Sequence, residues 1–261
     1  MLNIRNIIKK SDFGFTLVEL LVAMAVSTIV MTAICSLNVA AKKLNAAQSD
    51  IAWSQMEAWV TLDLMGREIR MAGYFPEAYR TGKITSSPLS LPKPARIEEA
   101  TATTFAFQGD IDNNLKEIKN ELKEQVEAVR YSFEGNANDK ILYRQVWRWD
   151  EDKVKWESSS ANPVLYNIVD GGFAYKDAEN KPLEGPPKTL EIPRSDIRSV
   201  EVWIRVRSER PDPQYYNKDT VKVSSKISGL QDLPAGQERY RTFLAQSRFY
   251  LPNMAMKGPY E

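Results

Sequence analysis

The chain has no histidine at all and a single cysteine among its 261 residues. Without histidine there is no Ser-His-Asp or Cys-His catalysis, no imidazole general base and no His-ligated zinc. One cysteine, Cys35, excludes an intrachain disulfide and a thiolate metal cluster. Thr32-Ala33-Ile34 precedes it, and the bulky Ile34 argues against a lipid-acceptor role. A large charge of one sign is also missing. Lys+Arg total 35 and Asp+Glu 34, so the net charge is +1 and no overall basic character supports nucleic-acid binding. No glycine loop for phosphate, no nucleophile paired with a base and no metal-ligand spacing occurs, so the chain does not read as an enzyme. The hydrophobic fraction of 43% is that of a folded protein.

One long hydrophobic run is present. Residues 1–14 are polar and weakly basic, with Arg5, Lys9 and Lys10 against Asp12. From Phe15 to Ala41 the sequence FTLVELLVAMAVSTIVMTAICSLNVAA holds one ionisable group, Glu19, and neither Pro nor Gly. As a helix it spans about 40 Å, enough to cross a bilayer. The basic residues ahead of it keep the amino terminus on the cytoplasmic side, although Lys42 and Lys43 beyond it weaken that signal. Three ordinary readings compete: a secretory signal peptide cut near Val39-Ala40-Ala41, a plain single-pass anchor, and a buried helix of a soluble core. Glu19 argues against all three. A carboxylate at the bilayer centre costs on the order of 2.5–3.5 kcal/mol on insertion scales, so such groups are usually retained for a partner. Cutting after Gly14 creates a cationic one, a new α-amino group on Phe15.

Gly14-Phe15-Thr16-Leu17-Val18-Glu19-Leu20-Leu21-Val22-Ala23, with the basic leader before it, resembles the type III signal of type IV prepilins and pseudopilins. The resemblance implies a membrane prepilin peptidase that cuts between Gly14 and Phe15 and methylates the Phe15 amine. It further implies that Glu19 registers subunits by attracting a neighbour's amino terminus. The partners implied are that peptidase, the inner membrane, and other major and minor pilins or pseudopilins. Leu64–Tyr74 is similar to the D-I-R-x-A-G-Y segment of PilW-type minor pilins, with Glu68 where Asp is common. J-type pseudopilins of type II secretion carry a related helix end. A membrane-anchored ligand- or DNA-binding protein, never cut after Gly14, is the alternative of a different class, and nothing in the charge supports DNA.

Beyond Lys43 the periodicity of Leu44, Ala47, Ile51, Ala58, Leu62, Met65 and Ile69 predicts an apolar helix face. Gln48, Asp50, Gln55, Glu57, Asp63, Arg67 and Glu68 lie between them, and Gly73 and Pro76 end the pattern. The expected organisation is a leader at 1–14, a membrane-spanning or filament-core half helix at 15–41, an amphipathic half at 42–72 and a β-rich head at 73–261. The fold class is α+β, the long helix packed on an antiparallel sheet. Strands are predicted at Thr103–Gln108, Gln125–Phe133, Lys140–Trp149, Lys153–Glu157, Ser199–Ser208 and Arg241–Leu251, with 171–188 as loop. Ser199–Ser208 alternates as a half-buried strand, which puts Arg205 and Arg207, with the nearby Arg210, on a solvated strip. Trp147, Trp149 and Trp156 with Arg144 and Arg148 form either a core face or a stacking surface for a ligand. Glu98-Glu99 reads as a loop pair.

Asp110, Asp112 and Asn114 alternate oxygen ligands, and Glu121 stands where a calcium loop ends. Leu115 occupies the position that needs glycine. The favoured reading is a solvated turn opening a short charged helix at Leu115–Lys123, with no cofactor; calcium is the alternative.

Overall fold

The structure, a computed structural model, describes residues 14–74, 87–89, 96–111, 115–118, 121–124, 126–136, 139–150, 153–183, 194–212, 215–216 and 239–255. The chain divides into two units, Met1–Gln48 and Ser49–Glu261.

The first unit is the leading part of one helix, α1, Leu17–Arg70. No proline and only one glycine, Gly66, interrupt it, which is why it propagates unbroken. Its large apolar side chains from Leu17 to Val39 are exposed. Three hydroxyls in this run, on Thr28, Thr32 and Ser36, donate to the carbonyls of Ala25, Thr28 and Ala33. Satisfied within the helix, they leave an apolar exterior.

In the second unit the remaining turns of α1 bury Ala58, Leu62, Met65 and Ile69. Each larger side chain contributes roughly 1.5–3 kcal/mol when fully buried. They meet a sheet built from β1 (Ile97–Ala100), β2 (Thr104–Gly109), β5 (Glu127–Asn136), β6 (Asp139–Asp150), β7 (Lys155–Ser158), β8 (Asn162–Lys176), β9 (Ser199–Arg207) and β10 (Thr242–Tyr250). The order is β1-β2-β5-β6-β8-β9-β10, with β7 paired to the far part of β6, and every pair is antiparallel. A separate ribbon pairs β3 (Leu115–Ile118) with β4 (Glu121–Glu124). This replaces the short helix expected at Leu115–Lys123. The four-on, four-off pairing shows that local strand partnership outweighed helix propensity there.

Two further strands were not foreseen. β1 carries Glu98 and Glu99, so these are strand residues; Glu98 is buried and accepts bonds from the Ser87 hydroxyl and the Gln108 amide. β8 takes in residues 171–176 of the expected loop. It pairs with β6 near its start and with β9 from Ile168 onward, with a register shift between Ile168 and Asp170. Asn167, at φ 57°, provides the left-handed residue beside that shift. Gly171 and Gly172, which suggest a loop by composition, are instead places where Phe133 and Trp203 pack directly on the backbone.

β9 is buried on both faces. Val200, Val202, Ile204 and Val206 face the core, and Glu201, Trp203 and Arg205 on the other side are buried too. Glu201 is held there by Lys176 at 3.0 Å, by Arg248 at 3.6 Å and by the Gln246 amide. The solvated arginine strip is therefore incorrect for Arg205. Arg207 is half-buried, paired with Asp139 at 3.4 Å and stacked over Tyr240 at 4.5 Å, and of the three only Arg210 is exposed.

The tryptophan–arginine group also separates. Trp147 and Trp149 are buried, and Trp149 meets Trp156 edge-on at 5.5 Å beside Val126. Arg144 and Arg148 sit at the alternating positions of β6 and turn to the opposite face, where they reach Glu68 and Glu127. Trp149 and Trp156 form with Val126 a small apolar cluster separate from the main core.

Helix and sheet are locked by one ionic contact. Glu68, expected among the polar residues of α1, is 8% exposed. Arg144 on β6 donates Nε to its Oε2 at 3.0 Å and Nη2 to its Oε1 at 2.6 Å, and the Tyr131 hydroxyl on β5 donates to Oε2 at 2.5 Å. Burial first, then the charge and hydrogen bond of Glu68, push the Tyr131 phenol well above its usual range. Burial opposes the charge of Arg144, but the bond and charge of Glu68 outweigh it and raise the guanidinium above its ordinary value. A bidentate pair with a third donor satisfies the carboxylate on both oxygens. Below it the helix closes against β2: Gly73, at φ 75°, donates its N–H to Gln108 O at 2.8 Å.

Removing one partner of this pair leaves a buried charge uncompensated. Glu68→Ala and Arg144→Ala are each expected to cost about 3 kcal/mol, as urea unfolding of the detergent-held chain followed by tryptophan fluorescence. A cost below about 1 kcal/mol, the range of exposed pairs, contradicts the anchor. Gly66→Ala sets a Cβ 2.3 Å from the Phe249 ring, and overpacking there is expected to cost about 1–3 kcal/mol in the same assay.

Candidate functional site at the helix amino terminus

The three residues singled out in the sequence, Gly14, Phe15 and Glu19, lie together at the start of α1. Gly14, Phe15 and Thr16 are non-helical and exposed. Thr16 is the helix cap: its carbonyl accepts the first helical bond, from Leu20 N–H at 3.1 Å. Its hydroxyl oxygen accepts from Glu19 N–H at 3.2 Å. In return Glu19 Oε2 accepts the Thr16 N–H at 3.0 Å and the Thr16 hydroxyl at 2.9 Å. This is a reciprocal capping box, in which two orphan helix donors are satisfied by the two side chains. Thr16-x-x-Glu19 carried that signal in the sequence, and the role of Thr16 was missed.

The box does two things chemically. It starts the helix at Leu17, two residues beyond the Gly14–Phe15 peptide bond, so that bond stays outside the helical ladder. A Cβ built on Gly14 meets nothing within 4 Å among the described residues. It also places a carboxylate in the first turn, at the positive end of the helix dipole. A free ammonium on Phe15 would be disfavoured by that dipole, and Glu19 offsets it. Both Thr16 bonds go to Oε2, and among the described residues nothing bonds Oε1, which leaves one oxygen for a further donor.

Residues 9–34 match the prokaryotic N-terminal methylation motif. That span includes Gly14, Phe15, Thr16 and Glu19 and runs well into the apolar part of α1. A solved type IV-like pilin from Thermus thermophilus is similar in fold, with a TM-score of 0.51 at 13% identity over 77% of this chain and 97% of that one. Comparison with curated proteins finds no match. The chain therefore combines a prepilin-type methylation signal with a type IV pilin fold: one long N-terminal helix, its later turns packed on an antiparallel sheet. Among the described residues α1 is the one helix long and apolar enough to cross a membrane, and none of its most apolar stretch is buried. This fits a membrane-anchored precursor.

Of the candidate calcium ligands, Asp110 is buried, Asp112 and Asn114 lie outside the described residues, and Glu121 is described only as backbone in β4. Among the described residues no group of three or more His, Cys, Asp or Glu could hold a metal ion.

Thr16→Val keeps the shape of the cap residue and removes its hydroxyl. It is expected to cost about 1 kcal/mol of local helix stability, seen as roughly five-fold faster amide exchange at Glu19 and Leu20 in detergent micelles, with Thr16→Ser restoring protection. Unchanged exchange in Thr16→Val contradicts the box.

Proposed function

We propose that the chain is a minor subunit of a type IV pilus, of the PilW-like kind, acting by association in pilus assembly, priming or at the tip. Prepilin peptidase hydrolyses the Gly14–Phe15 amide, leaving a carboxylate on Gly14 and an amine on Phe15 that is then methylated. The precursor is held in the inner membrane with its head outside the cytoplasm, as the basic leader residues Arg5, Lys9 and Lys10 favour. Assembly then moves it into the filament, where Glu19 pairs with the amino terminus of a neighbouring subunit. Inside an apolar bundle an unpaired carboxylate is costly, so such a pair acts as a register pin.

One observation carries the reading: a peptide bond left outside the helix, within a methylation motif, directly ahead of an apolar helix that nothing in the first unit covers. The size of the head and the helix end at Glu68–Tyr74 favour a minor pilin. The same helix end supports the second reading, a J-type pseudopilin of a type II secretion apparatus. No step of either calls for a cofactor.

Glu19→Ala separates filament subunit from membrane-anchored binding protein. The variant is expected to insert in the membrane and be cut, yet to be missing from sheared filaments or from the extracellular pseudopilus, by immunoblot of each fraction. Normal filament incorporation of Glu19→Ala, or a phenotype confined to ligand binding by the head, counts against the proposal.

A further inference from the structure

The head sheet ends in two edges that the sequence treats differently. At one edge β1 is four residues long, carries Glu98 and Glu99, and breaks register with β2 between Ile97 and Glu99. Short length, charge and an irregular ladder keep an edge strand from recruiting another chain. At the other edge β10 has none of these. It runs nine residues without proline, pairs with β9 residue for residue from Thr242 to Tyr250, and is half-buried along most of its length. Its one charge, Arg248, is held by Glu201 at 3.6 Å and by Asn180 at 3.0 Å. Among the described residues no strand lies on the outer side of β10, which leaves a row of backbone N–H and C=O groups along it without a strand partner.

The ribbon of β3 and β4 has the converse problem. Each strand is four residues long, and among the described residues they pair with each other and with no strand of the main sheet. Two strands alone are marginally stable in water. The ribbon lies between Gly109 and Glu127, which face each other across β2 and β5, so it is an outgrowth of that strand pair. The sheet has an edge that lacks a strand, and the ribbon has strands that lack a sheet. Strand addition satisfies both through backbone hydrogen bonds.

The edge of a second β10 is a poorer occupant. Such a contact joins a surface to itself and closes as a two-fold dimer. α1 and β10 also run the same way, with Trp59 beside Phe243 at 6.2 Å and the Phe249 ring against Gly66. Antiparallel pairing of two β10 strands therefore turns the two α1 helices in opposite directions, whereas a common membrane or filament needs them aligned. The ribbon contains a strand of each direction, so it can extend β10 with both α1 helices aligned.

We propose that the β3–β4 ribbon of a second copy of this chain adds to the outer side of β10 and carries the sheet from one head to the next. The contact joins two different surfaces, so each copy keeps a free edge or a free ribbon and the contact extends openly. The inference rests on the proposed function, since it takes the copies to assemble with α1 aligned, and it names a surface and partner for that assembly.

The test uses two differently tagged copies of the full chain, both Cys35→Ser, expressed with prepilin peptidase and the assembly machinery. One copy carries Leu244→Cys or Ser247→Cys, at positions of opposite parity in β10. The other carries Lys116→Cys or Glu117→Cys in β3, or Leu122→Cys or Lys123→Cys in β4. Copper–phenanthroline with oxygen takes two electrons from a thiol pair, and two protons leave as the S–S bond forms. A dimer of the two tags is expected, mapped by mass spectrometry to one ribbon position and one β10 position. Its yield should be at least about five-fold that obtained with Tyr166→Cys, exposed on β8, in place of the β10 cysteine, because the bond tolerates only a narrow range of Cβ separation. In the unsubstituted chain, amides of β10 that exchange freely in the detergent-held monomer should slow at least about ten-fold on assembly. Equal linkage of Tyr166→Cys, a β10 cysteine linked instead to a different pilin, or unchanged exchange along β10 each overturns the pairing. Amino-terminal sequencing of the same samples keeps the two claims apart. An uncut chain overturns the proposed function and the pairing with it, whereas a chain that starts at Phe15 and assembles without the link overturns the pairing alone.

Discussion

The twenty-seven residues Phe15–Ala41 hold a single ionisable group, and their apolar side chains are not covered by any other described part of the first unit. At roughly 25 cal/mol per Å² of apolar surface, water is a poor solvent for such a helix, and the rest of the molecule is arranged around that constraint. The run has to sit in lipid or against other helices. The hydroxyls of Thr28, Thr32 and Ser36 bond back to the helix's own backbone. Its beginning has to be capped by its own side chains, because a hydrocarbon environment supplies no donors or acceptors. Its continuation has to carry a folded head without losing the continuity of the helix.

The two carboxylates near the ends of α1 meet that constraint in different ways. Glu19 is satisfied locally, on one oxygen, by Thr16, which fixes the helix start and leaves the other oxygen for an outside donor. Glu68 is bonded on both oxygens by Arg144 and Tyr131, which belong to neighbouring strands. The first arrangement leaves an oxygen for an encounter between molecules. The second ties the helix to the sheet. Between them the helix changes character: mostly apolar around its circumference at first, then apolar toward the sheet at Ala58, Leu62, Met65 and Ile69.

Much of this was legible because it depends on local pattern. The run from Phe15, the glycine and glutamate flanking its start, and the 3.6-residue period of Leu62, Met65 and Ile69 are visible without tertiary information. So are the alternating strands at Lys140–Trp149 and Arg241–Leu251. What was not legible depends on partners far along the chain. Glu68 looks like a surface residue until Arg144, seventy-six positions on, is placed beside it. Arg205 and Glu201 alternate like a wet strand face, yet both are buried, Glu201 among cations from Lys176 and Arg248 on the neighbouring strands. Residues 171–176 carry two glycines and read as loop, yet those glycines are where aromatic rings rest on a strand. Leu115–Lys123 lacks a pattern of either period, and pairing of its two ends decided it. At the candidate site Glu19 was legible as an anomaly, an acid in an apolar run. Thr16 was ordinary by composition and significant only by its spacing from Glu19.

The central claim is that the mature chain begins at a processed Phe15, just ahead of this helix. Intact mass and amino-terminal sequencing of the chain recovered from membranes, with and without prepilin peptidase, test it most directly. The account predicts a chain starting at N-methylated Phe15 with the peptidase and at Met1 without it. A chain that starts at Met1 in both samples, or one cut near Ala40, would contradict it.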